Sequence, residues 1–170
     1  MTHWVGKDAF ESAMREIVAV VDTLRNSNIA ASTLGDVHSF CYILTPKQRS
    51  TIKKVCDEQG WVVPFCNGIE INGGTINHIL DSRSNEGLTA AFVADIMVAA
   101  YNQFAEIHVN KKHGEQAVFL NGIKKLRLNG SDWYAVAIVA LDNVKDGVKH
   151  VASITAYHAN ERKMRGIKGN

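Results

Sequence analysis

A histidine and an arginine stand five positions apart in the stretch TINHILDSRS. The spacing of Ile76, Ile79 and Leu80 predicts a short helix with one apolar face. His78 lies two positions from Ile76 and from Leu80, so it is expected to point away from that face. Histidine exchanges a proton near neutral pH and arginine stays charged, so His78 and Arg83 together could bind and protonate an anion. An ordinary exposed histidine fits the same pattern.

Hydroxyl side chains recur at every second position in the stretch HVASITAYH, residues 150–158. Alternation of this kind predicts a strand with a buried apolar face, which would align Ser153, Thr155 and Tyr157 on the other face. An edge strand with a solvated polar face would show the same pattern. His158 directly follows Tyr157 and is therefore expected on the opposite side of the strand.

The residue types in these two stretches match the needs of RNA cleavage without a metal ion, although many solvated surfaces would match them too. Such cleavage needs a base for the 2′-OH proton, an acid for the leaving 5′-oxygen, and cations or hydroxyls around the phosphorane. Motifs of nucleotide-binding loops, serine hydrolases and zinc peptidases are missing, and the histidines are too scattered to predict a metal centre. The candidate groups are His78, Arg83, Lys111, Lys112, His113, Arg127, Ser153, Thr155, Tyr157 and His158.

Composition and charge limit the classes of protein that need to be considered. A chain of 170 residues with 46% hydrophobic content can bury a substantial core. Residues 1–100 carry 8 Lys plus Arg against 11 Asp plus Glu, which gives −3, and residues 101–170 carry 11 against 6, which gives +5. The modest basic half is compatible with a phosphate-bearing partner.

The cysteines and the apolar runs indicate the compartment. Cys41, Cys56 and Cys66 form no CxxC pair, so we expect reduced, structural thiols. No apolar run is long enough to cross a bilayer, and the N-terminus has no apolar leader, which predicts a cytoplasmic protein without a membrane partner.

Helical periodicity dominates the first 104 residues. The clearest helix start is at Thr45, because Pro46 follows this cap and Gln48 completes a capping box. The predicted elements of this part are a helix over residues 6–26, a strand over 37–44, a helix over 46–58, a strand over 61–65, a turn over 72–74, a short helix capped by Thr75, and a long apolar helix over 87–104.

From residue 105 the apolar period changes from 3.6 to two. Glycine after asparagine, aspartate or histidine marks tight connections, which favours an antiparallel meander. The run 135–141 is apolar on both faces and should be the central strand. The basic tail ERKMRGIKGN shows no cap or apolar period, so we expect a solvated end whose last few residues are mobile. The fold class is therefore α+β, with N-terminal helices followed by a mainly antiparallel sheet of about five strands. The predicted strands cover residues 105–110, 115–121, 123–129, 133–142 and 149–157.

The order of these features resembles the phage-associated group of the barnase, EndoU, colicin E5/D and RelE-like (BECR) nuclease fold. In that group a short helix of the form I-x-H-I-L-x-x-R precedes the sheet, and the last strand presents a hydroxyl and an aromatic residue, as TINHILDSRS and S-x-T-x-Y-H do here. Ser84 stands where the group often has a second histidine. The resemblance covers residues 69–165. It implies a BECR-like α+β domain over residues 69–170 and an N-terminal extension of helices and strands over residues 1–68, with a single compact domain as the alternative.

The resemblance implies a metal-independent endoribonuclease of toxin or phage type, acting in the host cytoplasm without a cofactor. It would cleave RNA by attack of the 2′-OH. His78 would be the general base or acid, Arg83 would hold the phosphate, and Thr155 with Tyr157 would orient it. RNA, with tRNA among the candidates, is the expected partner, beside a host protein or a cognate inhibitor.

The group also places a lysine or arginine on a middle strand, and the spacing here does not select among Lys112, Lys125 and Arg127. The predicted substrate-binding residues are Lys112, Arg127, Ser153 and His158.

Two other classes of function remain open. The first is a non-enzymatic phage or mobile-element protein that binds and inhibits a host protein or nucleic acid, with the apolar N-terminal helix and the strand around Pro64 as its surfaces. The second is a nucleotidyl or ADP-ribosyl transferase, and the absence of a glutamate motif near the last strand counts against it.

Overall fold

One mixed β-sheet runs through the protein, and helices cover both of its faces. The structure is a computed structural model that describes residues 7–28, 39–110, 116–123, 125–145 and 148–168. Its helices and strands, in chain order, are α1 Lys7–Asn26, β1 Ser39–Ile43, α2 Pro46–Gln59, β2 Phe65–Asn72, α3 Gly73–Ser84, α4 Ala90–Ala100, β3 Glu106–Val109, β4 Ala117–Asn121, β5 Leu126–Leu128, β6 Ser131–Lys145, β7 Val148–Ala159 and α5 Glu161–Lys168.

The capping box predicted at the start of α2 is confirmed. The Thr45 hydroxyl accepts from the Gln48 backbone N–H at 3.1 Å, and Gln48 Oε1 accepts from the Thr45 N–H at 3.1 Å. Gln48 Oε1 also accepts from the Tyr42 hydroxyl at 2.9 Å, so the capping residue ties α2 to β1. Gly60 ends the helix in the left-handed region, at φ 73°.

Two predictions around β2 and α3 are wrong. The strand predicted over residues 61–65 instead begins at Phe65 and runs to Asn72. The glycines that follow form the first turn of α3 rather than a separate turn, because the Asn72 side chain accepts from the Thr75 N–H at 2.9 Å and caps the helix. Asparagine is among the best N-cap residues, so it takes the role predicted for Thr75.

The C-terminal tail is a helix, which also differs from the prediction. The Asn160 side chain accepts from the Lys163 N–H at 2.8 Å and caps α5. Met164 and Ile167, three positions apart, are buried against the sheet. A short amphipathic helix therefore covers a sheet face where we expected a solvated end.

The sheet order is β1-β2-β7-β6-β4-β3, with β5 attached to β6 alone. β3, β4, β6 and β7 pair antiparallel, and the predicted central strand, β6, lies between β7 and β4. The predicted meander of five consecutive strands is wrong at β5, because β4 pairs directly with β6 and β5 pairs with β6 off this path. The pairing of β2 with β7 is parallel. The α+β class is therefore confirmed, and the antiparallel sheet of about five strands is corrected to a mixed sheet of seven strands within the part of the chain that the structure describes.

The two faces of the sheet bury different clusters. The larger cluster lies under α1–α4, where α1 packs on α3 and α4, and α4 packs on β6 and β7. The smaller cluster lies on the opposite face under α5 and consists of Ala117, Phe119, Val136, Ile138, Ala159, Met164 and Ile167. The division predicted at residue 68 falls within β2, and it stays a prediction.

Candidate functional site

A pocket of about 420 Å³ lies beside the small cluster, between the end of α3, the sheet and α5. His78 and Arg83 from α3 line it together with Thr155 and Tyr157 from β7. These are the four residues predicted as catalytic, and they come from two distant segments of the chain. The other lining residues are Ser82, Asn110, Ala117, Ile138, Ile154, Lys163 and Ile167.

The pairing of β7 explains how α3 reaches this pocket. The registered partners of β2 on β7 end at Ala152, so the rest of β7 lies beyond β2. α3 follows β2 directly and packs against β7. The Thr75 hydroxyl donates to the Ser153 carbonyl at 3.5 Å. His78 is exposed, as its position on the helix predicted, because Ile76 and Ile79 bury the other face.

A β-bulge in β7 separates the three predicted hydroxyls. Ile138 pairs with Thr155 and Val139 pairs with Ser153, so Ile154 is an extra residue in β7. Because a bulge breaks the alternation of sides, Ser153 turns toward the helices while Thr155 faces the pocket. Ser153 is 7% exposed, and its hydroxyl oxygen accepts from the Tyr101 hydroxyl at 2.8 Å. The prediction that Ser153, Thr155 and Tyr157 share one face of the strand is therefore wrong for Ser153. This residue does not line the pocket.

His158 also lies outside the pocket lining. As predicted, it lies on the opposite face from Tyr157, where its ring centroid is 4.6 Å from that of Trp133 and 6.1 Å from that of Phe92. Its buried Nδ1 has no hydrogen-bond partner among the described residues. Burial lowers the pKa of His158, with smaller effects from nearby charges. These contacts fit a packing histidine better than the substrate-binding role predicted for it.

Arg127, another predicted binding residue, does not join this site. Arg127 lies on the β5–β6 hairpin, where its Nη1 is 3.1 Å from Asp132 Oδ1, and it does not line the pocket. Lys125 lies near the same hairpin, with Nζ 4.8 Å from the centroid of the Tyr134 ring. Lys112 lies outside the described residues.

Lys163 also lines the pocket, although its sequence context predicted only a basic tail. Its Nζ lies 4.0 Å from the centroid of the Tyr157 ring, and the Arg83 guanidinium carbon lies 5.8 Å from the same centroid. The α5 helix carries Lys163 to the site. The spacing of Met164 and Ile167 behind an asparagine cap could have revealed that helix.

The electrostatics of the pocket favour an anion. The described residues that line the pocket include three basic side chains, those of Arg83, Lys163 and His78, and no carboxylate. Arg83 is 13% exposed, and its Nε lies 3.4 Å from Glu86 Oε2. Burial raises the pKa of Tyr157 to about 12, against an opposing effect of Arg83, so its phenol is protonated near neutral pH and is able to donate a hydrogen bond.

No protein-family model matches the chain, and no curated protein or solved structure matches it. The resemblance to the BECR fold therefore stays a prediction. Within the described ranges, no group of three or more His, Cys, Asp or Glu side chains is arranged so that it could bind a metal ion. None of the helices in those ranges is long and apolar enough to span a bilayer.

Proposed function

We propose that the protein is a metal-independent endoribonuclease of the BECR type, whose site is the pocket between α3, β7 and α5. The observation that carries this proposal is that His78, Arg83, Thr155 and Tyr157 line one pocket although they lie in two distant segments. These residues were selected from the sequence because their types suit RNA cleavage, and the structure then brings them together in one pocket. This favours a catalytic site over an unrelated group of surface residues.

Each side chain has a role that its surroundings support. His78 is exposed at the pocket, so it can take the proton of the 2′-OH or protonate the leaving 5′-oxygen. Arg83 supplies a permanent positive charge for the phosphate. Thr155 and the neutral Tyr157 phenol donate hydrogen bonds to its oxygens.

The size of the pocket suits a segment of single-stranded RNA. A volume of about 420 Å³ lies at the small end of the range for ligand sites, which is enough for about one nucleotide unit. The rest of the RNA would lie across the basic C-terminal half of the chain. We expect this activity in the cytoplasm of a host cell.

The experiment that tests the proposal is incubation of the purified protein with total RNA in EDTA, beside the His78→Ala and His108→Ala variants. His108 is a matched control, because it is a strand histidine that does not line the pocket and lies 3.1 Å from Glu106. We expect the protein and His108→Ala to cleave RNA, and His78→Ala to lose at least about a hundredfold in rate. Unchanged cleavage by His78→Ala would contradict the role of His78 as general base or acid.

A second candidate function has an observation of its own. Ile43, Val62, Val63 and Phe65 are exposed apolar side chains at one end of the β1–β2 pair. An apolar group of this kind is typical of a surface that binds another protein. The alternative is therefore a non-enzymatic phage or mobile-element protein that inhibits a host protein.

Substitution of these apolar residues separates the two candidates. If the apolar surface binds a host protein, the Val62→Ser, Phe65→Ser double variant should no longer co-purify with that partner. If the pocket is a nuclease site, the same variant should still cleave RNA. Phe104→Ser is the matched control, because Phe104 is also exposed and lies at another site. A protein that cleaves no RNA and loses its partner only in the double variant would favour the binding function.

A further inference from the structure

Two cations approach the same aromatic ring in the pocket. Lys163 Nζ and the Arg83 guanidinium lie 4.0 Å and 5.8 Å from the centroid of the Tyr157 ring. A ring of this type attracts cations through its quadrupole, so it can hold both side chains at the pocket. Their mutual repulsion is then reduced most by an anion that both can contact.

We propose that Lys163 binds the scissile phosphate together with Arg83, so that the C-terminal helix is part of the substrate site. This inference deepens the proposed function, on which it rests, by naming the residue that completes the phosphate contact. Of the middle-strand residues considered from the sequence, Lys125 and Arg127 lie at the β5–β6 hairpin and do not line the pocket, and Lys112 lies outside the described residues.

The charges support this assignment. Arg83 and Lys163 carry two positive charges, and Glu86, at 3.4 Å from Arg83 Nε, supplies one negative charge. Both cations line the pocket, where each can contact the single negative charge of a phosphodiester. A proton taken up by His78 would stabilise the further negative charge of the phosphorane.

The position of Lys163 on α5 supports it as well. Met164 and Ile167 anchor the helix in the small cluster, and the Tyr134 hydroxyl donates to Glu161 at 2.9 Å. The lysine itself is exposed, so its replacement leaves these anchors in place. Its Nζ can therefore be tested without loss of the fold.

The test is binding of a short 2′-O-methyl RNA oligonucleotide, measured by fluorescence anisotropy over a range of salt concentrations. This probe has no 2′-OH to attack, so binding is separated from cleavage. We compare the protein with Lys163→Gln, Lys163→Arg and Arg162→Gln. Arg162 is the matched control, because it is an exposed cation beside Lys163 on α5 that does not line the pocket.

We expect Lys163→Gln to weaken binding about tenfold, as the loss of one charge-assisted contact does. The slope of log K against log salt concentration should fall by about 0.7, the value for one phosphate contact on a single strand. Lys163→Arg should restore most of the affinity, and Arg162→Gln should keep both the affinity and the slope.

Equal losses in Lys163→Gln and Arg162→Gln would overturn the inference, because the effect would then be one of general charge. Unchanged binding in Lys163→Gln would also overturn it. Binding that depends on Lys163 in a protein that does not cleave RNA would support the phosphate site and reject the nuclease function. Cleavage of RNA together with binding that does not depend on Lys163 would support the nuclease function and reject Lys163 as a phosphate contact.

Discussion

His158 lies among aromatic rings, and its surroundings favour the uncharged form of its imidazole. Trp133 and Phe92 lie edge-to-face with the imidazole. Burial is the main cause of its lowered pKa, the charges of Arg83 and Lys163 act in the same direction, and Glu86 opposes them. Protonation therefore costs more in the folded state than in the unfolded chain.

The resulting pH dependence can be predicted with its sign. The unfolded histidine takes up its proton near pH 6.5, and folded His158 does so only at lower pH. The contribution of His158 to stability is therefore complete above about pH 6.5 and is lost as the pH falls toward the folded pKa. In urea unfolding between pH 7.5 and 5.5, His158→Phe should lose less stability than the unmodified protein. An equal loss in both proteins would contradict this.

At the scale of elements, α5 couples the small cluster to the pocket. Met164 is 4% exposed and packs in that cluster without lining the pocket. Met164→Ala should lower the free energy of unfolding by about 2–3 kcal/mol, because it leaves a cavity under the helix. Arg165→Ala, an exposed change on the same helix, should stay within about 0.5 kcal/mol. Chemical denaturation measures both, and similar values would show that α5 is not docked through Met164.

The elements also show what a sequence pattern can and cannot predict. The capping box at Thr45 and the apolar run of β6 were predicted correctly, because each signal is local. The bulge at Ile154 has no such signal, since an extra isoleucine looks like any other residue of a strand. Thr155 and Tyr157 were consequently placed on the correct face together, whereas Ser153 was not.

At the scale of the whole molecule, the helix layer and the sheet are in close contact at Gly122. Its N–H donates to the Ala135 carbonyl at 3.0 Å, and a Cβ at this position would overlap the carbonyl oxygen of Ala99. Gly122→Ala should therefore lower the free energy of unfolding by about 2 kcal/mol, since the layers must move apart.

The control for this prediction is Gly166→Ala on α5. A Cβ at Gly166 would meet no atom within 4 Å, so alanine should raise stability by about 0.5–1 kcal/mol through its better helix propensity. Thermal and urea unfolding of the two variants should move in opposite directions. A shift of the same sign in both would show that the contact at Ala99 is not what requires glycine.

The overall topology was predictable only in its second half. β3 with β4, and β6 with β7, are neighbours both in sequence and in the sheet, so the turn residues between them indicate these antiparallel pairs, whereas β5 lies between β4 and β6 in sequence but not in the sheet. The parallel pair of Glu70 and Ala152 joins two distant segments, and no local pattern marks such a partner. The apolar face predicted for α3 was sufficient to show that His78 points away from the core. It could not show that α3 would lie beside Thr155 and Tyr157.

The parallel pairing of β7 has a consequence for the order in which the molecule is completed during translation. β2 leaves the ribosome with β1 on one side, and the partner for its other side does not exist until residue 152 has been made. Through that interval the nascent chain presents an open strand edge, the kind of surface that chaperones protect. His78 and Arg83 are synthesised early, but Thr155, Tyr157 and Lys163 follow at the far end of the described chain. The lining of the pocket is therefore complete only after the ribosome has passed Ile167.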